Sequence, residues 1–181
     1  MKIAILGWGS LIWDQRDLPI DGNWHKGGPI LPIEFSRISS GGRLTLVIDE
    51  QSGVPVKTQY ARSGSANLRQ AIEDLRKREG TSKSMIGVVS QTINIPKSGS
   101  DTIKGWAVEH KWDAVIWTGL PSNFEDIKRI PFTVENGLTY LSGLFGEKKA
   151  KAREYIDRAP EEVTTPLRQA LVEKGWVGGG E

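Results

Sequence analysis

The first third of the chain has the apolar and polar pattern of β-strands. An apolar run at the N-terminus predicts a short buried strand, and strict alternation from residue 30 predicts a second. The pair Gly41-Gly42 predicts a turn from the second strand into the third. Several prolines and glycines in Asp14–Pro29 predict a long loop before the alternating strand. The predicted strands are Lys2–Leu6, Ile30–Ile38, Arg43–Asp49 and Val54–Ala61.

The hydrophobic period changes at residue 68. Apolar residues spaced four and three apart, beginning at Leu68, predict a helix with one buried stripe. The helix is expected to end near Glu79, because Gly80 is placed to cap it. Patterns typical of strands return at Met85–Gln91 and Thr102–Val108. The run DAVIWT that follows is too short to decide between strand and helix.

Residues 122–176 predict mostly helices. Hydroxyl residues precede three of them as N-caps, and Pro166 takes the favoured first position of the last. The predicted helices are Asn123–Lys128 capped by Ser122, one capped by Thr133, Lys148–Arg158, and one capped by Thr165 and stopped by Gly175. The tail Gly178–Glu181 is expected to fray. Strands first and helices last favour one α+β domain over residues 1–181, with a mixed or mainly antiparallel sheet that could close into a barrel.

Composition and charge exclude several classes of protein. The chain has 181 residues, no cysteine and two histidines, so disulfides, thiolate chemistry and a multi-histidine metal centre are not expected. Its 24 basic and 22 acidic residues give a net charge of +2 without a basic block, which argues against nucleic acid as a partner. No apolar run approaches a membrane span, and the N-terminus is a poor signal peptide. We expect a cytoplasmic protein with no membrane partner, metal or cofactor; its oligomeric state stays open.

The motif Gly7-Trp8-Gly9-Ser10 follows the first predicted strand, either as a tight turn or as backbone exposed to a ligand. A dinucleotide fingerprint would need a third glycine, where this chain has Ile12, and a helix directly afterwards. Catalysis by Ser10 as a nucleophile would need a base, and two isolated histidines give a triad little support. Carboxylates therefore remain the plausible acids or bases.

Four carboxylates border apolar segments: Glu34, Asp49, Glu79 and Glu109. Glu34 falls on the polar face of an alternating strand, which predicts a solvated position, and Asp49 is expected to start a turn. Glu79 ends a helix, where the carbonyl groups favour cations. Because a residue that breaks a local rule is a candidate for function, Glu79 is the leading acid or base.

The chain has seven tryptophans, of which Trp106, Trp112 and Trp117 lie close together in sequence. Large core side chains explain most tryptophans in a domain of this size. The alternative interpretation is that the Trp106–Trp117 segment forms a wall of a binding pocket.

Two stretches resemble one known family. GWGSLIW (Gly7–Trp13) resembles the Gly-Tyr-Gly-Ser-Leu loop of the γ-glutamylcyclotransferase superfamily, especially its ChaC-type branch. NLRQAIEDLRKREGT (Asn67–Thr81) resembles the family's helix that leads to a glutamate followed by glycine. The order of strand, loop, hairpin and helix also matches, so that the resemblance covers roughly residues 1–95.

The resemblance implies a small, mainly antiparallel β-barrel with packed helices that cleaves a γ-glutamyl amide. The substrate's α-amine would attack its own γ-carbonyl, which gives 5-oxoproline and a free amine without a cofactor. Glu79 matches the family's general base. The loop residues that match its substrate-binding positions are Gly7, Trp8, Gly9, Ser10 and Leu11. Trp8 departs from the family's tyrosine, and it replaces a phenol hydroxyl with an indole N–H donor.

Two other hypotheses stay open. A ligand-binding module on the same scaffold would have no catalysis, with Glu79 turned out or paired with Arg76 or Lys83. An α+β domain with an interaction role would use the opening motif as a turn only. In that case Glu79 would lie far from Ser10.

Overall fold

A computed structural model describes residues 1–176 and 178 of the chain. The strands within them are β1 (Ile3–Gly7), β2 (Ile20–Ile38), β3 (Leu44–Ile48), β4 (Val54–Ser63), β5 (Ile86–Ser90) and β6 (Ala114–Thr118). The α-helices are α1 (Leu68–Glu79), α2 (Ser100–Glu109), α3 (Phe124–Lys128), α4 (Val134–Ser142), α5 (Gly146–Asp157) and α6 (Pro166–Glu173). The expected fraying of the tail falls, except for Gly178, outside the described residues.

The strands form one open, mixed sheet in the order β3-β2-β4-β1-β6-β5. Strand β1 runs antiparallel to β4 and parallel to β6, while β2–β3 and β5–β6 are antiparallel pairs. The prediction of a mixed, mainly antiparallel α+β sheet is therefore confirmed. The prediction of a closed barrel is wrong, because the order of paired strands has two ends.

Each edge strand of the sheet has a local partner outside the sheet. The outer side of β5 is bridged by the following segment, where Val88 and Ile95 exchange two backbone hydrogen bonds of 2.9 and 3.0 Å. At the other edge, the amide of Leu46 in β3 lies 3.4 Å from the Tyr155 hydroxyl of α5. Edge groups that already have local partners are not available to pair with another strand.

The contacts group the chain into two compact units, and the prediction of a single domain stays a prediction. The first unit contains residues 1–31 and 57–120. Its core packs the inward residues of β1, Ile3 and Ile5, against the apolar stripe of α1. Asn67 caps the start of α1 through Gln70 N–H, and Gly80 ends the helix with a left-handed φ of 63°. The predicted helix and its glycine stop are confirmed.

The second unit contains residues 32–56 and 121–181, described to residue 176 and at 178. It holds the end of β2 from Pro32, strand β3, the start of β4 and helices α3 to α6. Thr133 and Thr165 cap their helices as predicted. The predicted cap by Ser122 is wrong, since its hydroxyl donates to the Ser36 carbonyl and Asn123 is the residue before α3.

Two other elements differ from the prediction. Strand β2 begins at Ile20, inside the predicted loop, because Gly22 and Gly27 take positive φ values of 88° and 101° without ending the strand. Thr102–Val108, predicted as a strand, lies in α2, which buries Ile103, Trp106 and Ala107 at helical spacing. The ambiguous DAVIWT run forms β6. Among the residues that the structure covers, no helix has the length and apolar character needed to cross a membrane.

Candidate functional site

The opening loop leaves β1 at Gly7 and closes into a helical turn. Ile12 N–H donates to the Gly9 carbonyl at 3.0 Å, and Asp14 N–H donates to the Ser10 carbonyl at 2.8 Å. A Cβ on Gly7 would lie 2.8 Å from the ring of Trp24, so the close packing of that ring requires glycine. The first glycine of the motif thus has a packing role within the first unit.

Three consecutive amides of this loop are left unbonded. In the described part of the chain, no hydrogen bond uses the N–H groups of Gly9, Ser10 and Leu11. Gly9 and Leu11 are buried, and a buried backbone N–H without a partner is rare in folded proteins. The turn beyond Leu11 explains the geometry, because the first N–H groups of a helical turn have no partner within it. The loop therefore presents three neighbouring donors.

Arg78, near the end of α1, connects this loop to the predicted base. Its side chain is 5% exposed. Its Nε and Nη2 donate to the Asp14 carbonyl at 3.1 and 2.5 Å, and Nη2 also lies 3.4 Å from Ser10 Oγ. Its Nη1 donates to Glu79 Oε1 at 2.6 Å. In return, Arg16 Nη1 donates to the backbone carbonyl of Arg78 at 3.2 Å.

Glu79 is therefore close to the opening loop. Glu79 and Ser10 each contact a terminal nitrogen of the same planar guanidinium. This arrangement contradicts the hypothesis that places Glu79 far from Ser10. The Glu79 side chain is 16% exposed, so it is held in place but still reachable from solvent.

The ion pair expected for a non-catalytic module involves other residues. Arg76 and Lys83 bind Glu73 instead, at 2.5 and 3.2 Å. The hydrogen bond from Arg76 is the main reason that the pKa of Glu73 falls to about 2. Glu79 pairs with Arg78, and three basic residues in the last turn of α1 offset its unfavourable position at the carbonyl end.

The remaining loop residues serve mainly as packing. Trp8 is buried, and the side chain of Leu11 belongs to the core cluster around α1. The structure thus brings the Ser10 hydroxyl and the Asp14 carbonyl to Arg78, near the end of α1. It gives the side chains of Trp8 and Leu11 buried positions. Sequence reasoning missed Arg78, whose adjacency to Glu79 at the helix end was the available signal.

The tryptophan-rich segment packs elsewhere in the first unit. Trp106 donates through Nε1 to the Gly27 carbonyl, and its ring stacks on His110 and contacts Tyr60 and Trp112. Tyr60 is paired with Leu6, so it lies on the face of the sheet opposite Ile5 and α1.

Trp117 is fully buried against Gly87. The core interpretation is therefore confirmed for Trp106 and Trp117, and the pocket-wall interpretation of the segment stays a hypothesis.

In the second unit, Glu34 is not on a solvated face. It is 1% exposed, because β2 is buried on both sides between Ile33 and Ser36, where its register against β3 shifts. Burial raises the pKa of Glu34 to about 7, although hydrogen bonds from Phe35, Thr165 and Leu167 oppose the rise. The prediction of a solvated Glu34 is wrong.

The other two carboxylates have ordinary positions. Asp49 accepts hydrogen bonds from the amides of Gln51 and Ser52 through Oδ1, which confirms the predicted turn. The side chain of Glu109 is 78% exposed. No three His, Asp or Glu side chains in the described ranges are grouped to hold a metal ion.

No protein-family model, curated protein or solved structure matches this chain. The site is therefore interpreted from its own geometry and from the resemblance of its two motifs.

Proposed function

We propose that this protein is a γ-glutamylcyclotransferase-like enzyme that cleaves a γ-glutamyl amide into 5-oxoproline and an amine. One observation carries the proposal. Arg78 contacts both the Ser10 hydroxyl and the Glu79 carboxylate, in the two stretches that resemble the family, and three unbonded amides lie at Gly9, Ser10 and Leu11 of the same loop. This set contains a base and a group of hydrogen-bond donors, which are the parts that the reaction requires.

The reaction needs few other protein groups. The α-amine of the substrate attacks its own γ-carbonyl carbon, and the C–N bond to the leaving amine breaks. Because attacking and attacked atoms belong to one molecule, correct binding supplies most of the orientation. Glu79 would accept the proton that the α-amine loses and return a proton to the leaving nitrogen. Amides from Gly9, Ser10 and Leu11 would stabilise the negative charge on the carbonyl oxygen.

A non-catalytic binding module remains the second candidate. Its support is the ion pair of 2.6 Å between Glu79 and Arg78, which already occupies one carboxylate oxygen. In this case the loop amides would bind the ligand's oxygen atoms, and no bond would break. Both candidates predict a small γ-glutamyl ligand. A cytoplasmic location is proposed with them, on the ground that the chain has no cysteine.

The test measures 5-oxoproline release from γ-glutamyl amino acids, γ-glutamyl amines and glutathione. Wild type is compared with Glu79→Gln, and Glu73→Gln is the matched control because it removes another ion-paired carboxylate from the same helix. Loss of a general base is expected to slow turnover by about 10²–10⁴-fold in Glu79→Gln alone. Calorimetric binding of a γ-glutamyl amine without any release would favour the binding module. Equal turnover in Glu79→Gln and wild type would refute the assigned base.

A further inference from the structure

We infer that Arg78 is the positioning residue of this site, which fixes the Glu79 carboxylate and the opening loop in one arrangement. The kinetic part of this inference rests on the proposed function. Its structural part depends only on the contacts of the guanidinium.

The guanidinium holds groups from two elements at fixed relative positions. It donates to Asp14 and approaches Ser10 in the loop, and it donates to Glu79 at the end of α1. Because the donors of arginine lie in one rigid plane, the position of the loop determines that of the carboxylate. Lysine offers three donors from one atom, so it cannot span the same three groups.

The burial of the Arg78 side chain explains why its charge needs these particular partners. A side chain that is 5% exposed and charged must have its hydrogen-bond partners inside the protein. Its own backbone is also fixed, since Arg16 binds its carbonyl and the Gly80 cap binds the carbonyls of Arg76 and Lys77. Both the side chain and the backbone of Arg78 are therefore held by neighbouring groups.

The ion pair with Arg78 uses only one of the two carboxylate oxygens of Glu79. Arg78 binds Oε1 of Glu79, and no other described residue makes a hydrogen bond to this side chain. Oε2 is therefore the atom that can meet a proton of the substrate. Misplacement of a reacting group by about 1 Å can slow a reaction about 10²-fold, so the loss of Arg78 should lower kcat more than it raises KM.

The experiment compares wild type, Arg78→Ala and Arg78→Lys by amide hydrogen exchange and by 5-oxoproline release. The control is Arg76→Gln, which changes another arginine of the same turn with a partner outside the site. Exchange is read at Ile12 and Asp14, whose amides are hydrogen-bonded within the loop, and at Ile116 in β6 as a measure of the whole fold.

We expect exchange at Ile12 and Asp14 to rise at least about tenfold in Arg78→Ala, with Ile116 and the control unchanged. Millimolar guanidinium should enter the vacated space and restore both loop protection and turnover, which it would not do for a general loss of stability. If Arg78→Ala does not fold, the same rise in exchange at Ile12 and Asp14, with Ile116 unchanged, is expected in Arg78→Lys.

Unchanged exchange at both loop amides would overturn the inference. Wild-type protein that releases no 5-oxoproline would refute the proposed function instead, and the exchange comparison would still decide the role of Arg78. Turnover equal to wild type in a folded Arg78→Ala would refute the kinetic part.

Discussion

The buried carboxyl of Glu34 should make the stability of this protein depend on pH in an unusual direction. Its pKa is raised from 4.5 to about 7, mainly because burial penalises the charged form. Nearby Asp49 adds to the rise, whereas the hydrogen bonds from Phe35, Thr165 and Leu167 favour the carboxylate. A group with a raised pKa in the folded state stabilises that state below its unfolded pKa, and this contribution is lost as pH rises through the folded value.

The size of the effect follows from the shift. A rise from 4.5 to about 7 corresponds to about 3 kcal/mol, since each unit of pKa is worth about 1.4 kcal/mol. The perturbation is Glu34→Gln, which keeps the shape but cannot ionise. The substitution also changes hydrogen bonds, but that cost is the same at every pH. The variant should therefore gain up to about 3 kcal/mol relative to wild type between about pH 4.5 and about pH 8.

The assay is urea unfolding followed by tryptophan fluorescence, at several pH values across this window. The matched control is Glu125→Gln, which removes the same charge from an exposed position in α3. Its free energy of unfolding should run parallel to that of wild type. A constant difference between Glu34→Gln and wild type would refute the reasoning. An increase in the stability of wild type relative to the variant as pH rises would also refute it. In that case the hydrogen bonds from the start of α6 would have a larger effect on the pKa of Glu34 than burial has.

Three further substitutions test the packing and the caps by urea unfolding. Gly87→Ala should destabilise by about 3 kcal/mol or more, because its Cβ would lie 2.2 Å from the buried ring of Trp117; a neutral effect would contradict that packing. Gly80→Ala should cost about 1 kcal/mol, since φ is 63° there, and an equal or higher stability would argue against the left-handed cap. Thr165→Ala should cost about 1–2 kcal/mol as a lost N-cap. It should also raise the pKa of Glu34 further, as measured by carbon NMR of the carboxyl, because Thr165 donates a hydrogen bond to it.

The parts of the fold that could be predicted were those with local signals. Helix α1 has an apolar stripe, a capping asparagine and a terminal glycine within fourteen positions, all of which act through neighbours in sequence. The segment Thr102–Val108 has β-branched and aromatic residues, yet it is helical because Ile103, Trp106 and Ala107 bury one helical face. Tertiary burial overrode the strand propensity there.

The candidate site was predictable only in part, for the same reason. Glu79 and the opening loop could be found because each lies in a recognisable stretch. Their connection runs through Arg78, which is 64 residues from Asp14 and 68 from Ser10 along the chain. The burial of Glu34 likewise depends on Thr165 and Leu167, which approach it only after folding. No local pattern specifies such contacts.

Arg78 and Glu34 show two ways in which this chain accommodates a buried ionisable side chain. An arginine does not lose its proton in proteins, so Arg78 must be given acceptors, and the loop carbonyl and Glu79 supply them. A carboxyl can take up a proton, so Glu34 can be buried among the hydrogen-bond donors Phe35, Thr165 and Leu167 in its neutral form. The arrangement around Arg78 should therefore persist over the pH range in which the surroundings of Glu34 change.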